Sequence, residues 1–188
     1  MRLFIALTLP DPLHAALEDT MARLRADGVS GRFTRPENLH LTLHFLGEQP
    51  EAAVEALSDI LLQAPDAAFP LTLSDLGTFS RTGILWAGLS PSPALNRLQK
   101  QLGISLTRAG FPVEARAFRP HLTLVREFRL PEGYALPALP AASASADTLC
   151  LMESTRVSGK LIYSPLSMIR LKQEEDLCNA AFSPRSYA

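Results

Sequence analysis

Short segments in which apolar and polar residues alternate recur along the chain and predict strands, because successive side chains of a strand point to opposite faces. Residues 2–9 place aliphatic side chains at every second position and Phe4 on the opposite face. Residues 39–46 alternate in the same way and are expected to bury Leu41, Leu43 and Phe45. Further strands are predicted at about 70–76, 84–89, 121–125, 148–154 and 164–171.

Leucines at helical spacing predict three helices between these strands. The helices are expected at residues 11–28, about 50–63 and about 93–109. Asp11 and Pro12 suit the start of the first helix, and Gly110 suits the position after the end of the third. The polar segment 30–38 and the Pro-, Ala- and Ser-rich segment 131–147 are predicted to be loops.

The order of strands and helices describes two similar halves. We therefore predict an α+β protein with a pseudo-duplicated, bilobal fold and a single domain over residues 1–188. Two antiparallel sheets are expected to line a central cleft, with the helices on the outside.

One tetrapeptide occurs twice, because His-Leu-Thr-Leu stands at 40–43 and again at 121–124. From the composition of this chain, a chance copy is expected roughly 0.01 times. In a strand, the His and Thr of each copy share one face and the leucines point to the core. Two such strands that face each other would bring two imidazoles and two hydroxyls into one site.

The composition narrows the class of protein without identifying a ligand. Hydrophobic residues make up 47% of the chain, charged residues 20%, and the formal charge is −1. The apolar runs fall short of the ~20 residues of a membrane span and no signal peptide is recognised, so a cytoplasmic location is expected. With so little net charge, a nucleic-acid ligand has to be held by local contacts. Cys150 and Cys178 lack metal-type spacing and are expected to be reduced thiols.

Paired histidines suit the hydrolysis of a phosphodiester. One imidazole can act as base for the attacking water and the other as acid for the leaving alkoxide, which predicts a bell-shaped pH profile centred near neutrality. Thr42 and Thr123 are expected to donate hydrogen bonds to the phosphate oxygens, where negative charge increases. A zinc site is disfavoured, because neither motif carries a carboxylate or thiolate on the shared face. No metal or cofactor is predicted.

Three arginines are candidates for binding the phosphate. Arg126 lies five residues after His121, so strict alternation sends its side chain to the wrong face. It reaches the cleft only if the strand ends or bulges near Val125 and Arg126. Arg35 and Arg119 lie in the loops before the motif strands and are candidates at the rim. A guanidinium would bind phosphate through paired, charged hydrogen bonds.

Phe4 and His44 are weaker candidates for contact with a ligand. Phe4 is expected to stack on a nucleobase if its face of the first strand lines the cleft. By alternation, His44 is expected on the face of His40 and Thr42, about 13 Å along the strand from His40. Its role is left open, since it is too distant to contact the same phosphate.

Segments beyond the two motifs match a known pattern. They are the opening Arg2-Leu3-Phe4-Ile5-Ala6-Leu7, Glu37-Asn38 before the first motif and Phe45-Leu46-Gly47 after it, Leu85-Trp86-Ala87-Gly88, Phe118-Arg119-Pro120 before the second motif and Val125-Arg126 after it, and Glu153-Ser154, Gly159, Tyr163, Pro165 and Leu166. With these residues the chain resembles the 2H phosphoesterase superfamily, which is named for its two His-x-Thr/Ser motifs. Within it, the chain resembles the bacterial and archaeal RNA 2′,3′-cyclic phosphodiesterases, also called 2′-5′ RNA ligases.

The resemblance implies metal-independent hydrolysis of a terminal 2′,3′-cyclic phosphate of RNA to a 2′-phosphate. It implies that His40 and His121 are catalytic and that Arg126 binds phosphate together with Thr42 and Thr123. We expect His121 to be the base and His40 the acid. The same site run backward would join RNA ends through a 2′-5′ linkage.

Two alternatives remain at this point. One is a module that binds a nucleotide without turnover, and the other is a phosphodiesterase for another cyclic phosphate, such as an ADP-ribose derivative. The expected partners are RNA ends or nucleotides that carry a 2′,3′-cyclic phosphate, with no membrane and no metal. The protein is expected to be a monomer.

Overall fold

A computed structural model describes residues 1–64 and 67–172. Within these residues the chain forms antiparallel strands and three α helices. The helices are α1 (Asp11–Ala26), α2 (Ala53–Leu62) and α3 (Pro93–Arg108). The strands are β1 (Arg2–Thr8), β2 (Ser30–Phe33), β3 (His40–Glu48), β4 (Phe69–Phe79), β5 (Ile84–Leu89), β6 (His121–Arg129), β7 (Ser143–Ala146), β8 (Thr148–Val157) and β9 (Lys160–Arg170).

The strands form two sheets, each of which contains one copy of the repeated motif. One sheet has the order β3-β1-β8-β9 and the other the order β2-β6-β5-β4-β7, and all pairs of neighbouring strands are antiparallel. The motif strands β3 and β6 belong to different sheets and lie next to each other. The expectation of an α+β fold with two antiparallel sheets is confirmed.

The alternation along β1 separates two clusters of buried side chains. Leu3, Ile5 and Leu7 are fully buried in the main core, which contains side chains from both sheets and all three helices. Phe4 and Ala6 point to the other face and pack with a smaller cluster on β8. Each fully buried leucine of the main core contributes roughly 1.5–3 kcal/mol relative to an exposed one. The core therefore fixes which face of β1 is directed toward the motif residues.

Two short strands lie where loops were predicted. The sequence Ser-Gly-Arg-Phe forms β2, which pairs with β6, and Ser-Ala-Ser-Ala forms β7, which pairs with β4. Both strands lie at an edge of the five-stranded sheet. Hydrogen bonds to the backbone of the neighbouring strand form these two strands. Their small and polar side chains do not alternate with apolar ones, so the sequence did not predict them.

Two further observations bear on the class of protein. Among the described residues, no helix has both the length and the apolar character needed to cross a membrane. Cys150 is a buried free thiol, and burial raises its pKa to about 11. Cys178 lies outside the described residues.

Candidate active site

Strand β6 contains a bulge directly after its threonine. Two adjacent residues of β5 pair with Thr123 and Val125, so Leu124 is an additional residue in β6. Leu124 and Val125 are consequently both buried in the core. The alternation then resumes one residue later, and Arg126 lies on the same face as His121. The bulge required for Arg126 by the sequence argument is therefore present.

Strand β3 contains the same bulge at the equivalent position. Two adjacent residues of β1 pair with Thr42 and His44, so Leu43 is the additional residue. The expectation that His44 shares a face with His40 is therefore wrong. His44 points into the protein, is 5% exposed, and its Nε2 lies 2.8 Å from the carbonyl oxygen of Gln99 in α3.

Phe45 occupies the position in β3 that Arg126 occupies in β6. It was expected in the core, but it pairs with Phe4 of β1 and is 37% exposed. Paired residues of antiparallel strands share a face, so Phe45 lies on the face of His40. The bulge exchanged the sides of His44 and Phe45.

The contacts of His40 define its tautomer. Its Nδ1 lies 2.7 Å from the carbonyl oxygen of Asn38, which only accepts, so the proton of the neutral ring is on Nδ1. Its Nε2 lies 2.9 Å from Oγ1 of Thr42, whose hydroxyl donates to it. The ring packs against Phe4 and Tyr163, with centroids at 4.9 and 5.0 Å. His40 is therefore held in one orientation, with Nε2 as the nitrogen able to exchange a proton.

His121 is held in the same way in the other sheet. Its Nδ1 donates to the carbonyl oxygen of Arg119 at 2.8 Å, which again leaves Nε2 for proton transfer. The ring of Phe79 in β4 approaches it edge-on at 5.1 Å between centroids and also packs on Trp86. The two histidines thus have equivalent backbone partners and an aromatic neighbour each.

Burial and nearby charges shift the pKa values of both motif histidines. Burial, together with the smaller effects of the charges of Arg126 and His121, lowers the pKa of His40 to about 4, although the bond to Asn38 opposes the shift. Burial also lowers the pKa of His121, as do the charges of Arg116 and Arg126. Arg126 therefore lowers the pKa of both imidazoles, and the charge of His121 lowers that of His40.

The remaining candidates have other surroundings. Phe4 is only 3% exposed and is covered by the rings of His40 and Tyr163, so its expected stacking on a nucleobase is not supported. Arg35 donates to the carbonyl oxygen of Leu161 at 3.2 Å and ties the loop before β3 to β9. Arg119 is exposed and contributes its carbonyl to the site.

Two further aromatic residues lie next to the motif residues. Tyr163 and Trp86 are half-buried on the cleft face, and Trp86 pairs with Thr123 across β5 and β6. The ring of Trp86 covers Gly77, where a Cβ would overlap it. In the part of the chain that the structure describes, no group of three or more His, Cys, Asp or Glu side chains is placed to hold a metal ion.

Comparison with known proteins gives consistent matches over most of the chain. Residues 9–157 match the sequence profile of the 2′-5′ RNA ligase superfamily. The chain is 33% identical over 177 residues to the RNA 2′,3′-cyclic phosphodiesterase of Escherichia coli K12, covering 92% of this chain and 97% of that protein. It is 34% identical over 146 residues to the protein of the same name from Geobacillus stearothermophilus, covering 70% of this chain but only 46% of that protein.

A solved structure with the same fold is Escherichia coli LigT complexed with 3′-AMP. It superimposes with a TM-score of 0.80 at 31% identity, covering 92% of this chain and 98% of that one. The match supports the arrangement of two sheets around the paired motifs.

Proposed function

The chain belongs to the 2′-5′ RNA ligase superfamily, and from that membership we propose that it hydrolyses the 2′,3′-cyclic phosphate at the end of an RNA to a 2′-phosphate. The observation that carries the proposal is the matched pair of histidines. Each donates from Nδ1 to a backbone carbonyl, and Arg126 lies within electrostatic reach of both. Two imidazoles, each with an Nε2 able to exchange a proton, support the assignment of one as acid and the other as base.

The reaction uses one histidine on each side of the phosphorus. Nε2 of His121 removes a proton from water as the water oxygen bonds to phosphorus. The bond from phosphorus to O3′ breaks, and Nε2 of His40 protonates O3′. Thr42, Thr123 and Arg126 donate hydrogen bonds to the non-bridging oxygens of the pentavalent intermediate. The products are a 2′-phosphomonoester and a 3′-hydroxyl, and no metal takes part.

The pKa values place a condition on these roles. The low pKa of His40 by itself favours the neutral ring, which suits a base better than an acid. A bound cyclic phosphate is an anion beside both rings and raises the pKa of each. His40 acts as the acid only if this increase allows it to be protonated in the complex.

A substrate with a different leaving group assigns the roles. In a cyclic phosphorothiolate, sulfur replaces O3′, and the departing thiolate needs little protonation. With this substrate, His40→Ala should recover most of the rate lost on the oxygen substrate, and His121→Ala should not. Recovery by His121→Ala alone would exchange the two roles.

Identification of the product tests the activity itself. The purified protein is incubated in EDTA with an oligonucleotide that ends in a 2′,3′-cyclic phosphate. We expect a 2′-phosphate as the product. Binding without turnover would favour the nucleotide-binding module considered above, and a requirement for an added divalent cation would contradict the metal-independent mechanism.

The same site also accommodates the joining of RNA ends. If a 5′-hydroxyl takes the place of water, His121 would remove its proton and the product would be a 2′-5′ linkage. We propose that the protein carries out these reactions as a single domain. We also propose that it is a monomer and that it acts in the cytoplasm. The shared core supports a single domain, and light scattering of the purified protein tests the monomer.

A further inference from the structure

An exposed aromatic ring lies on the cleft face of β3, away from the paired histidines. Phe45 is 37% exposed, whereas Leu41, Leu43 and Leu46 of the same strand are buried. Its pairing with Phe4 places it on the face of His40. Phe45 thus offers a flat apolar surface to a ligand that already contacts the catalytic groups.

A positive charge accompanies this ring. The guanidinium of Arg2 lies 5.0 Å from the centroid of Phe45. Among the described residues Arg2 has no ion-pair partner, because Glu48, which faces it across the strands, instead pairs with the N-terminal ammonium at 3.6 Å. Sites for single-stranded nucleic acid combine aromatic surfaces for the bases with cations for the backbone.

The register of the strands gives the distance from the reaction centre. Thr8 pairs with His40, and Phe4 pairs with Phe45. Four residues of β1 therefore separate the two positions, which corresponds to about 13 Å at the rise of a strand. A single ribose joins the cyclic phosphate to its own base, and the distance between these two groups is shorter than about 13 Å. The base of the preceding nucleotide lies farther from the cyclic phosphate and can therefore contact Phe45.

We propose that Phe45 stacks on the base of the nucleotide that precedes the cyclic end, with the positive charge of Arg2 next to that same nucleotide. The inference rests on the proposed function and extends it. It makes an RNA strand of two or more nucleotides a better substrate than a cyclic mononucleotide. From the sequence, Phe4 was the residue expected to stack on a base. The bulge in β3 instead turns Phe45 to the face of His40, and the ring of Phe4 is covered by His40.

Three substrates test the proposal with each variant. They are a 2′,3′-cyclic mononucleotide, a dinucleotide that ends in the same cyclic nucleotide, and that dinucleotide without the base of its first residue. The quantity compared is kcat/KM for the dinucleotide divided by kcat/KM for the mononucleotide. Phe45→Ala should lower this ratio by about 5-fold to 150-fold, since stacking on one base is worth about 1–3 kcal/mol. Phe45→Trp, which retains a stacking surface, should keep it.

The controls separate stacking from a structural effect and from failure of the proposed activity. Leu62→Ala removes an exposed apolar side chain of α2, which is 64% exposed, and should leave the ratio unchanged. With the abasic dinucleotide, wild type and Phe45→Ala should give the same ratio. An unchanged ratio in Phe45→Ala, or an equal decrease with the abasic substrate, would overturn the inference. A wild-type protein that hydrolyses neither substrate would overturn the proposed function itself.

Discussion

His40 and His121 are held by equivalent contacts, since each imidazole donates from Nδ1 to the backbone carbonyl of the residue two positions earlier. These carbonyls belong to Asn38 and Arg119, at the points where the chain enters β3 and β6. The bond is local, so it forms as soon as the strand does and sets the tautomer without help from the other sheet. The two motif strands lie next to each other, so the charge of His121 reaches His40.

The pH dependence of kcat/KM should have its maximum below pH 6.5. This parameter reports the pKa values of the free enzyme, and burial lowers the pKa of both histidines, that of His40 to about 4. Above the higher of the two values both rings are neutral and the pair holds no proton for the leaving group, so kcat/KM should fall about tenfold per pH unit. The bell-shaped profile is therefore expected, but on the acidic side of the neutral position that the sequence suggested.

Comparison with kcat completes this test. A bound phosphate anion raises the pKa of both imidazoles, so the profile of kcat should lie at higher pH than that of kcat/KM. A maximum of kcat/KM above pH 7 would contradict the burial of the two rings in the free protein.

The free energy of unfolding should decrease as pH falls from about 6.5 to 4. The pKa of His40 is lower in the folded protein than its ordinary value of 6.5, so the unfolded chain binds more protons in this interval. The loss attributable to His40 is up to about 3 kcal/mol. Urea denaturation of wild type and His40→Gln at several pH values gives the free energy of unfolding as a function of pH. The contribution of His40 is the difference between the slopes of the two curves. A wild-type slope in His40→Gln would refute the prediction.

Arg126→Ala should lower kcat/KM by about 100-fold, because it removes charged donors from the phosphate oxygens. It should also raise the pKa of His40 and His121, since the nearby positive charge is lost. Steady-state kinetics over a range of pH measures both effects. Arg129→Ala is the matched control, because Arg129 is an exposed arginine at the end of the same strand. Equal effects of the two substitutions would contradict the role of Arg126.

Gly31→Ala should destabilise the protein by about 1–3 kcal/mol. Gly31 has a φ of +139°, and a Cβ there would lie 2.8 Å from Cγ1 of Val125 and 2.9 Å from the carbonyl oxygen of Arg126. The close approach of β2 to the bulge of β6 therefore requires glycine. Gly133→Ala is the control for backbone strain, since Gly133 also has positive φ but open space around it. Chemical denaturation should show the larger loss for Gly31→Ala, and an equal loss would show that the contact with β6 is unimportant.

The strands and the motif could be predicted because their side chains carry the pattern. The bounds of β5 were predicted to the residue, and the leucines of both motifs are buried as expected. The bulges carry no such pattern, since an additional residue changes the faces without changing composition. The bulge in β6 could be inferred only because Arg126 had an expected role that conflicted with alternation. No such conflict marked β3, so His44 and Phe45 were assigned to the wrong faces.

Long-range contacts account for the rest of what the sequence did not reveal. Tyr163 reaches His40 from β9, more than a hundred residues away in the chain, and nothing in its neighbourhood indicates the cleft. Strands β2 and β7 exist because neighbouring backbones offer hydrogen bonds to them. Local propensity does not contain this information.

The central claim is that two imidazoles act together on one phosphorus atom. The most direct test is the rate of hydrolysis of a 2′,3′-cyclic nucleotide in EDTA by His40→Ala, His121→Ala and the double variant, with His14→Ala as a control and circular dichroism to verify folding. Each single substitution should cost about 10²–10⁴-fold in rate, and the double variant should be little slower than the slower single one, because the two groups work as a unit. A folded single variant that retains the wild-type rate would contradict the claim.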